Sequence, residues 1–296
     1  MMKIVKFLFP VFAALSLFVG CNHDMTPEKP GRKAEVTVSI SAPSMGTKVS
    51  INDVPNDGNV KRLDVFIYKE NGVLESHGSI TNATSLAISS STGSKEIWAV
   101  VNGPDLSFVS EDGSSTLAQL KAVSIALGDN AADGFVMTGS KSVTLEGNTP
   151  VSIDVYRVAT RVVVKKITKN FSVAVNQAKE FKIVGIYLTN VQGANNLGLE
   201  SFQASNGLWF NKMMYEPSNS HGYLYDSVNR VVNDSYETSH YFYGMPNDAV
   251  VSDDVYAGEW NKRLTRLVIE ATLDGETMYY PITMNLGFAR NKSYEF

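Results

Sequence analysis

Short stretches in which apolar and polar residues alternate recur along most of this 296-residue chain. The first, EVTVSIS at residues 35–41, places Val36, Val38 and Ile40 on one face and hydroxyl side chains on the other. A period of two residues is typical of a β-strand that buries one face. The pattern therefore predicts a half-buried first strand.

Two pairs of alternating stretches predict β-hairpins. Residues 61–78, KRLDVFIYKENGVLESHG, contain Asn71-Gly72, two residues that tolerate the positive φ required by a type I′ turn. Residues 266–284, RLVIEATLDGETMYYPITM, turn at Asp274-Gly275 in the same way. The inward positions predicted for this second hairpin are Leu267, Ile269, Ala271, Leu273, Met278, Tyr280 and Ile282.

One segment predicts a helix. In STLAQLKAVSIAL, residues 115–127, Leu117, Leu120 and Ala122 fall near one face. Ser115 or Thr116 can serve as the N-cap, because a hydroxyl there accepts a bond from the first turn.

The apolar stretch TPVSIDVYRVATRVVVKKI, residues 149–167, is too long for one ordinary strand. We interpret it as the end of one domain and the start of the next, near Tyr156. The chain is therefore predicted to be all-β, with two tandem antiparallel β-sandwich domains at residues 35–156 and 157–296. One short helix belongs to the first domain.

The N-terminus has the features of an export signal. Lys3 and Lys6 precede an apolar run from Phe7 to Val19, which contains Pro10. The run has about 13 residues, fewer than the ~20 that span a bilayer as a helix. A basic start, a short apolar run and a small residue at its end are typical of a secretory signal peptide, here residues 1–20.

Cys21 is the single cysteine of the chain and follows that run directly. LFVGC resembles the bacterial lipobox, whose cysteine is acylated and becomes the new N-terminus. The alternative is an ordinary signal peptide with an incidental cysteine. Acylation would hold the protein on a membrane, with polar residues 21–34 as a tether. The mature chain would then contain neither a free thiol nor a disulfide.

The charge of the mature chain argues against nucleic acid as a partner. Loss of Lys3 and Lys6 leaves 24 of the 26 basic residues against 30 acidic residues, a net charge of −6. Binding to phosphates needs a basic face, which this composition does not favour.

Little in the sequence predicts catalysis. None of the four histidines occurs in an HExxH pattern, and no G-x-S-x-G nucleophile elbow is present. The histidines are His23, His77, His221 and His240. We therefore predict that the protein is not an enzyme and holds no cofactor or metal.

Two sets of acidic residues are considered for calcium binding and for glycoside hydrolysis. The segment GDNAADGF resembles a calcium loop through Asp129, Asn130 and Asp133, but it lacks the usual register and distal glutamate, so a polar turn is favoured. Glu270 and Glu276 are predicted to lie on the solvent face of their hairpin, where a solvated surface is favoured over a glycosidase pair.

Several segments taken together resemble the Bacteroidales fimbrillin-like proteins, a family of fimbrial subunits and their anchors. Besides the lipobox at Cys21, they are LDVFIYKENG, KEIWAVVNG, GFVMTGS, VYRVATRVVVKKI, YFYGMPND, TRLVIEATLDGETMYYPI and RNKSYEF. The resemblance implies a non-enzymatic lipoprotein exposed on the outer membrane, which becomes part of a fimbria after processing. Its implied partners are other fimbrial subunits and, for an adhesin, a ligand on a host or bacterial surface.

In that family a trypsin-like protease removes the first strand, and the emptied groove accepts a strand from a neighbouring subunit. Transferred to this sequence, the resemblance implies an exchangeable strand that carries Val36, Val38 and Ile40. The processing cut would fall after Lys48 in MGTKVS, although the family favours arginine there.

The C-terminus departs from the family pattern. Family subunits continue past the segment that matches RNKSYEF with β sequence that serves as the donor, whereas this sequence ends at Phe296. The resemblance leaves two interpretations open, a truncated C-terminus or a terminator or anchor that keeps its lipid.

A surface glycan-binding lipoprotein is the alternative function. It would share the lipid anchor and the sandwiches, but it needs exposed, coplanar aromatic rings over a cleft and no removable first strand. Trp98 is predicted to be a core residue, whereas Trp209 and Trp260 lie in loop-rich sequence and are more open to sugar stacking.

The Cys21→Ser variant tests the predicted lipid anchor. We expect this variant to leave the membrane fraction, because without the thiol no acyl chain can be attached. Metabolic labelling with a fatty acid should mark the wild-type protein and not the variant. An unlabelled wild-type protein would contradict the prediction.

Overall fold

The computed structural model describes residues 31–42, 58–106, 114–130, 134–198, 209–211, 224–247, 264–284 and 288–296. Residues Arg32–Phe296 form one compact unit. Most of the described residues lie in β-strands, which confirms the predicted all-β fold. None of the helices within these ranges is long and apolar enough to cross a membrane.

The elements up to residue 157 alternate strands with one short helix. The strands are β1 (Lys33–Ser41), β2 (Arg62–Lys69), β3 (Leu74–Thr81), β4 (Ser85–Ser91), β5 (Gly93–Val101), β6 (Ser124–Ala126), β7 (Met137–Leu145), β8 (Thr149–Asp154) and β9 (Tyr156–Arg157). The helix α1 (Leu117–Ala122) precedes β6, and a 3-10 helix (Leu127–Asp129) follows it.

The elements after residue 157 include a second short helix, α2 (Ala174–Ala178). The strands are β10 (Thr160–Val164), β11 (Ile167–Thr168), β12 (Phe181–Thr189), β13 (Val191–Gln192), β14 (Ala194–Asn196), β15 (Trp209–Phe210), β16 (Tyr225–Val231), β17 (Ser235–Tyr236), β18 (His240–Gly244), β19 (Arg266–Leu273), β20 (Glu276–Thr283) and β21 (Ser293–Glu295).

Two sheets enclose the first core. A five-stranded antiparallel sheet has the order β3-β2-β5-β7-β9, and a three-stranded sheet has the order β4-β1-β8. Strand β2 shows how the larger sheet is buried on both faces. Leu63, Val65 and Ile67 belong to the core shared with β1, whereas Phe66 and Tyr68 belong to the second core. Burial on both faces explains why LDVFIYK is so apolar.

The second core lies largely between the sheets formed after residue 157. One sheet has the order β16-β12-β19-β20 and the other has the order β18-β10-β21. The hairpin of β19 and β20 follows its prediction, since Asp274 and Gly275 have φ of 49° and 86° and Ile269 pairs with Tyr280.

Strand pairing and side-chain contacts join the two halves of the chain. Strand β6 pairs with β14, and the ring of Phe135 lies 4.5 Å from that of Tyr243. The Arg290 guanidinium donates to the Tyr156 carbonyl at 2.8 Å, and burial lowers the pKa of Arg290 to about 10. The domain boundary near Tyr156 stays a prediction. The second core contains residues from both sides of that position.

The helix prediction was too long. Helix α1 begins with Thr116 as its N-cap, in a capping box with Gln119, and it ends at Ala122. Residues 124–126 then pair as β6 with β14, and the β-branched Ile125 suits a strand. Leu120 is buried as predicted, but Ala122 is exposed.

The first hairpin turn also differs from its prediction. Only Gly72 takes a positive φ, of 77°, and its N–H donates to the Lys69 carbonyl. The turn therefore spans more residues than a type I′ turn, with Gly72 in the left-handed position that a longer hairpin loop requires. The sequence analysis did not predict α2, which is short and buries none of its residues.

Gly139 provides a test of how closely β7 approaches β8. A Cβ atom at Gly139 would overlap the Asp154 carbonyl group, so we expect Gly139→Ala to lower the free energy of unfolding by about 2 kcal/mol or more. Gly147→Ala is the matched control, because a Cβ at Gly147 meets no atom within 4 Å. Urea titration of both variants measures the difference. Equal stability would contradict the close approach.

Candidate functional site

The backbone of β1 is hydrogen-bonded along both edges. Strand β1 runs antiparallel to β4, where Val36 pairs with Ile88 and Val38 with Leu86. It runs parallel to β8 on its other side, where Val38 pairs with Val151. We call the channel between β4 and β8 that β1 fills the first-strand groove.

Successive residues of β1 form their backbone hydrogen bonds alternately with β4 and with β8. The Ile40 N–H donates to the Thr84 carbonyl on the β4 side, and the Ser41 carbonyl accepts from Val155 on the β8 side. A residue's N–H and C=O point to the same edge of a strand, so even positions bond towards β4 and odd positions towards β8. The Glu35 N–H agrees with this order, because it donates to the Asn148 side chain at 3.0 Å.

The inward side chains of β1 complete the first core. Val36 and Val38 are fully buried, Ala34 is buried and Ile40 is half-buried. Full burial contributes about 1.5–3 kcal/mol for a side chain of this size. The buried residues of the opposite sheet that belong to the same core are Leu63, Val65, Ile67, Ile97, Ala99, Val101, Met137 and Leu145.

An ion pair holds the end of β4 against the opposite sheet. The Lys95 ammonium lies 2.5 Å from one Glu75 carboxylate oxygen, and the other oxygen accepts from the Ser91 N–H at 2.6 Å. The Ser90 hydroxyl also reaches Glu75, at 3.3 Å. Burial alone would raise the pKa of Glu75, but the bonds from Lys95 and Ser91 lower it below its ordinary value.

Contacts with β7 hold β8, the other wall of the groove. The backbone of β7 approaches the Asp154 carbonyl at Gly139, where no Cβ intervenes. The Lys141 ammonium donates to the Ser152 carbonyl at 3.2 Å. Neither contact uses an atom of β1, and the same holds for the ion pair at β4. These contacts of the two walls therefore do not depend on atoms of β1.

Asn102 holds the chain where β2 begins. Its side-chain oxygen accepts from the N–H groups of Lys61 and Arg62 at 2.8 and 3.1 Å. Its amide nitrogen donates to the carbonyls of Asn59 and Phe135 at 2.7 and 3.1 Å. Asn102 has φ of 52°, a left-handed conformation that asparagine tolerates. The start of β2 is thus fixed independently of β1.

Proline lies on two outer edge strands with its nitrogen directed away from the neighbouring strand. Val155 donates towards β1, so the nitrogen of Pro150, at the opposite parity on β8, faces the open edge. Met284 donates to Thr265, so the nitrogen of Pro281 in β20 also faces outward. An edge without a donor at such a position is a poor template for another strand.

The structure describes some of the predicted site residues and not others. Val36, Val38 and Ile40 share the inward face of β1, and their exchange with another strand stays a prediction. Cys21 and Lys48 lie outside the described residues. Glu75, Lys95 and Asn102 were not predicted from the sequence. Their only signals are a charged pair in alternating sequence and an Asn-Gly turn, and neither identifies its distant partner.

His240 joins the two sheets around the second core. Its Nδ1 lies 2.7 Å from an Asp226 carboxylate oxygen, and its Nε2 lies 2.9 Å from the Tyr236 hydroxyl. These partners support a satisfied structural histidine. His221 and His23 lie outside the described residues.

His77 has a structural environment in the first hairpin. Its ring stacks on Phe66 at 4.5 Å, and its Nε2 lies 3.5 Å from an Asp64 carboxylate oxygen. Burial alone would raise the pKa of Asp64, but hydrogen bonds from His77, Ser79 and Arg62 lower it. The group links β2 with β3.

The solvent-face prediction for Glu270 was wrong. Glu270 is only 8% exposed, whereas Glu276 is exposed. Glu270 pairs in register with Tyr279, and its charge helps burial to raise the pKa of Tyr187 to about 12. Tyrosines on neighbouring strands thus surround this face of β19. The alternation of residues along β19 did not predict that these tyrosines would bury Glu270.

The remaining candidates have different outcomes. Trp98 is buried, and its N–H donates to Glu96. Trp209 begins β15, and Trp260 lies outside the described residues, so their sugar-stacking role stays a prediction.

The acidic segment GDNAADGF contains two residues with structural roles. Asp129 accepts from the Ala126 N–H, and Asn130 accepts from the Val136 N–H. Among the described residues no group of three possible metal ligands occurs, and Asp133 lies outside them. The bonds of Asp129 and Asn130 are those of a polar turn.

Comparison with solved structures shows what the fold is similar to. A proposed cell adhesion protein from Bacteroides eggerthii matches with a TM-score of 0.65 and 17% identity, over 90% of this chain and 86% of that chain. A fimbrilin from Porphyromonas gingivalis matches with a TM-score of 0.58 and 16% identity, over 84% of this chain and 80% of that one. The chain has the fimbrillin-like fold.

This fimbrillin-like fold also occurs in a tip fimbrial protein of Porphyromonas gingivalis, solved with a C-terminal truncation. That structure matches with a TM-score of 0.58 and 13% identity, over 89% of this chain and 93% of that one. By sequence, neither a protein-family model nor a curated protein matches. The likeness at these identities is a likeness of fold.

The ion pair at β4 should make the fimbrillin-like fold sensitive to acid. Because the folded-state pKa of Glu75 is lowered, its stabilisation is present above the unfolded-state pKa of about 4.3 and is lost as pH falls through the folded-state value. At pH 7 we expect Glu75→Gln to lower the free energy of unfolding by about 2 kcal/mol.

The difference between wild type and Glu75→Gln should shrink below pH 4. Glu276→Gln, at an exposed position, is the control and should be neutral at both pH values. Denaturant titration at pH 7 and pH 3 measures both effects. A difference that persists unchanged at pH 3 would show that the charge of Glu75 is not the stabilising feature.

Proposed function

We propose that this chain is a subunit or anchor of a cell-surface fimbria and that β1 is an exchangeable placeholder strand. The observation that supports this proposal is the position of β1. It is the middle strand of its sheet, while both neighbours have contacts to the rest of the fold that do not involve it. Its loss would leave a groove with two unpaired backbone edges and an apolar floor.

Such a groove is suited to β-augmentation. A strand from another subunit would gain backbone hydrogen bonds from β4 and β8 and would place alternate side chains on the apolar floor. The intact chain resists this exchange because β1 is tethered, and a tether gives the bound segment an effective concentration of the order of mM. A cut between residues 42 and 58 would remove that advantage and make replacement permanent once β1 leaves.

The processing cut in this proposal falls after Lys48. Before the cut, acyl-Cys21 holds the precursor on the outer membrane. After it, the lipid and β1 leave together, unless the chain is an anchor that keeps them. The fold is shared with a fimbrilin and a tip fimbrial protein, which supports other fimbrial subunits as partners. In this proposal the protein is not an enzyme.

A glycan-binding surface lipoprotein is the second candidate. The face of the β16-β12-β19-β20 sheet that carries Tyr279 favours it, because Tyr279 is 56% exposed. Tyr187, whose ring lies 6.1 Å from that of Tyr225, is only 6% exposed. The two rings are tilted by 34°, however, which is a poor match to the coplanar platform that sugar stacking requires.

Limited trypsin digestion tests the proposed exchange. We expect cleavage near Lys48 and a compact core that forms oligomers when a donor-bearing subunit of the same fimbria is added. Val38→Asp should destabilise the precursor, because it places a charge in a fully buried position, but should leave trimmed protein competent to assemble. Thr37→Asp is the matched control, since Thr37 is exposed.

Size-exclusion chromatography with light scattering measures assembly. Trimmed protein that stays monomeric with every donor subunit would contradict the fimbrial proposal. Binding of the untrimmed protein to a glycan array, abolished by Tyr279→Ala, would then favour the second candidate.

A further inference from the structure

The inward side chains of β1 increase in size along the strand. Ala34 comes first, the fully buried Val36 and Val38 follow, and the half-buried Ile40 comes last. The groove therefore has two different ends. This asymmetry matters because a β-strand presents the same alternating pattern when it is read in either direction.

A buried polar cluster restricts the end of the groove at Ala34. Ala34 pairs with Ser90, so their side chains share the inward face. The Ser90 hydroxyl contacts the Glu75 carboxylate, which is bound to the 7% exposed Lys95. A larger side chain in place of Ala34 would crowd this cluster, and an unpaired buried charge is costly.

The opposite end accepts a larger side chain. Ile40 pairs in register with Ile153, and it packs against the first core while remaining half-buried. The neighbouring Ser41 carbonyl accepts a bond from Val155, which completes the ladder on this side. Apolar contacts surround this end, whereas ion-paired groups border the other.

We infer that the groove selects its donor strand by size and by direction. This inference rests on the proposed strand exchange. The donor is a segment of a neighbouring subunit that runs in the direction of β1 and has polar residues between its inward positions. Those positions carry a small residue, two β-branched residues and a large aliphatic residue, in that order. A strand inserted in reverse would place its large residue against the Glu75–Lys95 ion pair.

Peptide exchange into the cleaved full chain tests this inference. A site-specific protease sequence is placed between residues 43 and 57, and the cleaved protein is mixed with fluorescein-labelled peptides. The native peptide KAEVTVSIS is compared with its Ala34→Ile version, its Ile40→Leu version and the reversed sequence SISVTVEAK. Fluorescence anisotropy reports how much of each peptide enters.

We expect the native and Ile40→Leu peptides to enter alike and the Ala34→Ile and reversed peptides to bind at least tenfold more weakly. In the direction of β1 the reversed peptide places its Ile at the Ala34 end, and it restores the size order only by running parallel to β4 and antiparallel to β8, the opposite of the native pairing. Ser90→Gly in the protein should reduce the penalty for the Ala34→Ile peptide, because it removes the side chain opposite that position.

The outcomes separate this inference from the proposed function. If the native peptide does not enter, strand exchange itself is contradicted. If the native, Ala34→Ile and reversed peptides all enter equally, exchange stands and selection by size and direction is wrong. An unchanged penalty in Ser90→Gly would contradict the role of the Ser90 side chain in limiting the residue size at Ala34.

Discussion

A strand in the middle of a sheet forms backbone hydrogen bonds along both of its edges. The facing N–H and C=O groups of its two neighbours have it as their partner. In this protein β1 occupies that position between β4 and β8. Unpaired backbone groups next to an apolar surface carry a free-energy penalty, so an empty first-strand groove would favour any strand with the right pattern. The proposed function follows from this requirement.

Several contacts that hold the walls of the groove do not involve β1. Glu75 fixes the end of β4, Gly139 lets β7 approach β8, and Asn102 fixes the start of β2. The outer edges of β8 and β20 each lack a donor because of a proline. Strand addition is thereby disfavoured at these two edges.

The alternating pattern predicted most features that depend on neighbouring residues in the sequence, such as strand faces and hairpins. It identified the inward face of β1, and Asp274-Gly275 identified the β19–β20 hairpin because both residues tolerate left-handed backbone. It did not separate α1 from β6, since the strand character of residues 123–126 depends on pairing with β14, which is distant in sequence. The burial of Glu270 was missed for the same reason.

The candidate site was predictable only in part. The strand proposed to be removable was predicted from its period and from the family resemblance. The walls of the groove depend on pairs such as Glu75 with Lys95, and a sequence does not show which charges will meet when twenty residues separate them. The size order from Ala34 to Ile40 is visible in the sequence. The role inferred for this order depends on the ion pair of Glu75 with Lys95 beside Ser90, which only the structure shows.

The most direct test of the account is the N-terminal residue of the protein in fibres taken from the cell surface, determined by mass spectrometry. If β1 is a placeholder, assembled copies other than an anchor should begin within residues 43–57, with Val49 expected from a cut after Lys48. Assembled copies that all begin at acylated Cys21, with β1 still joined to the chain, would contradict the exchange of the first strand.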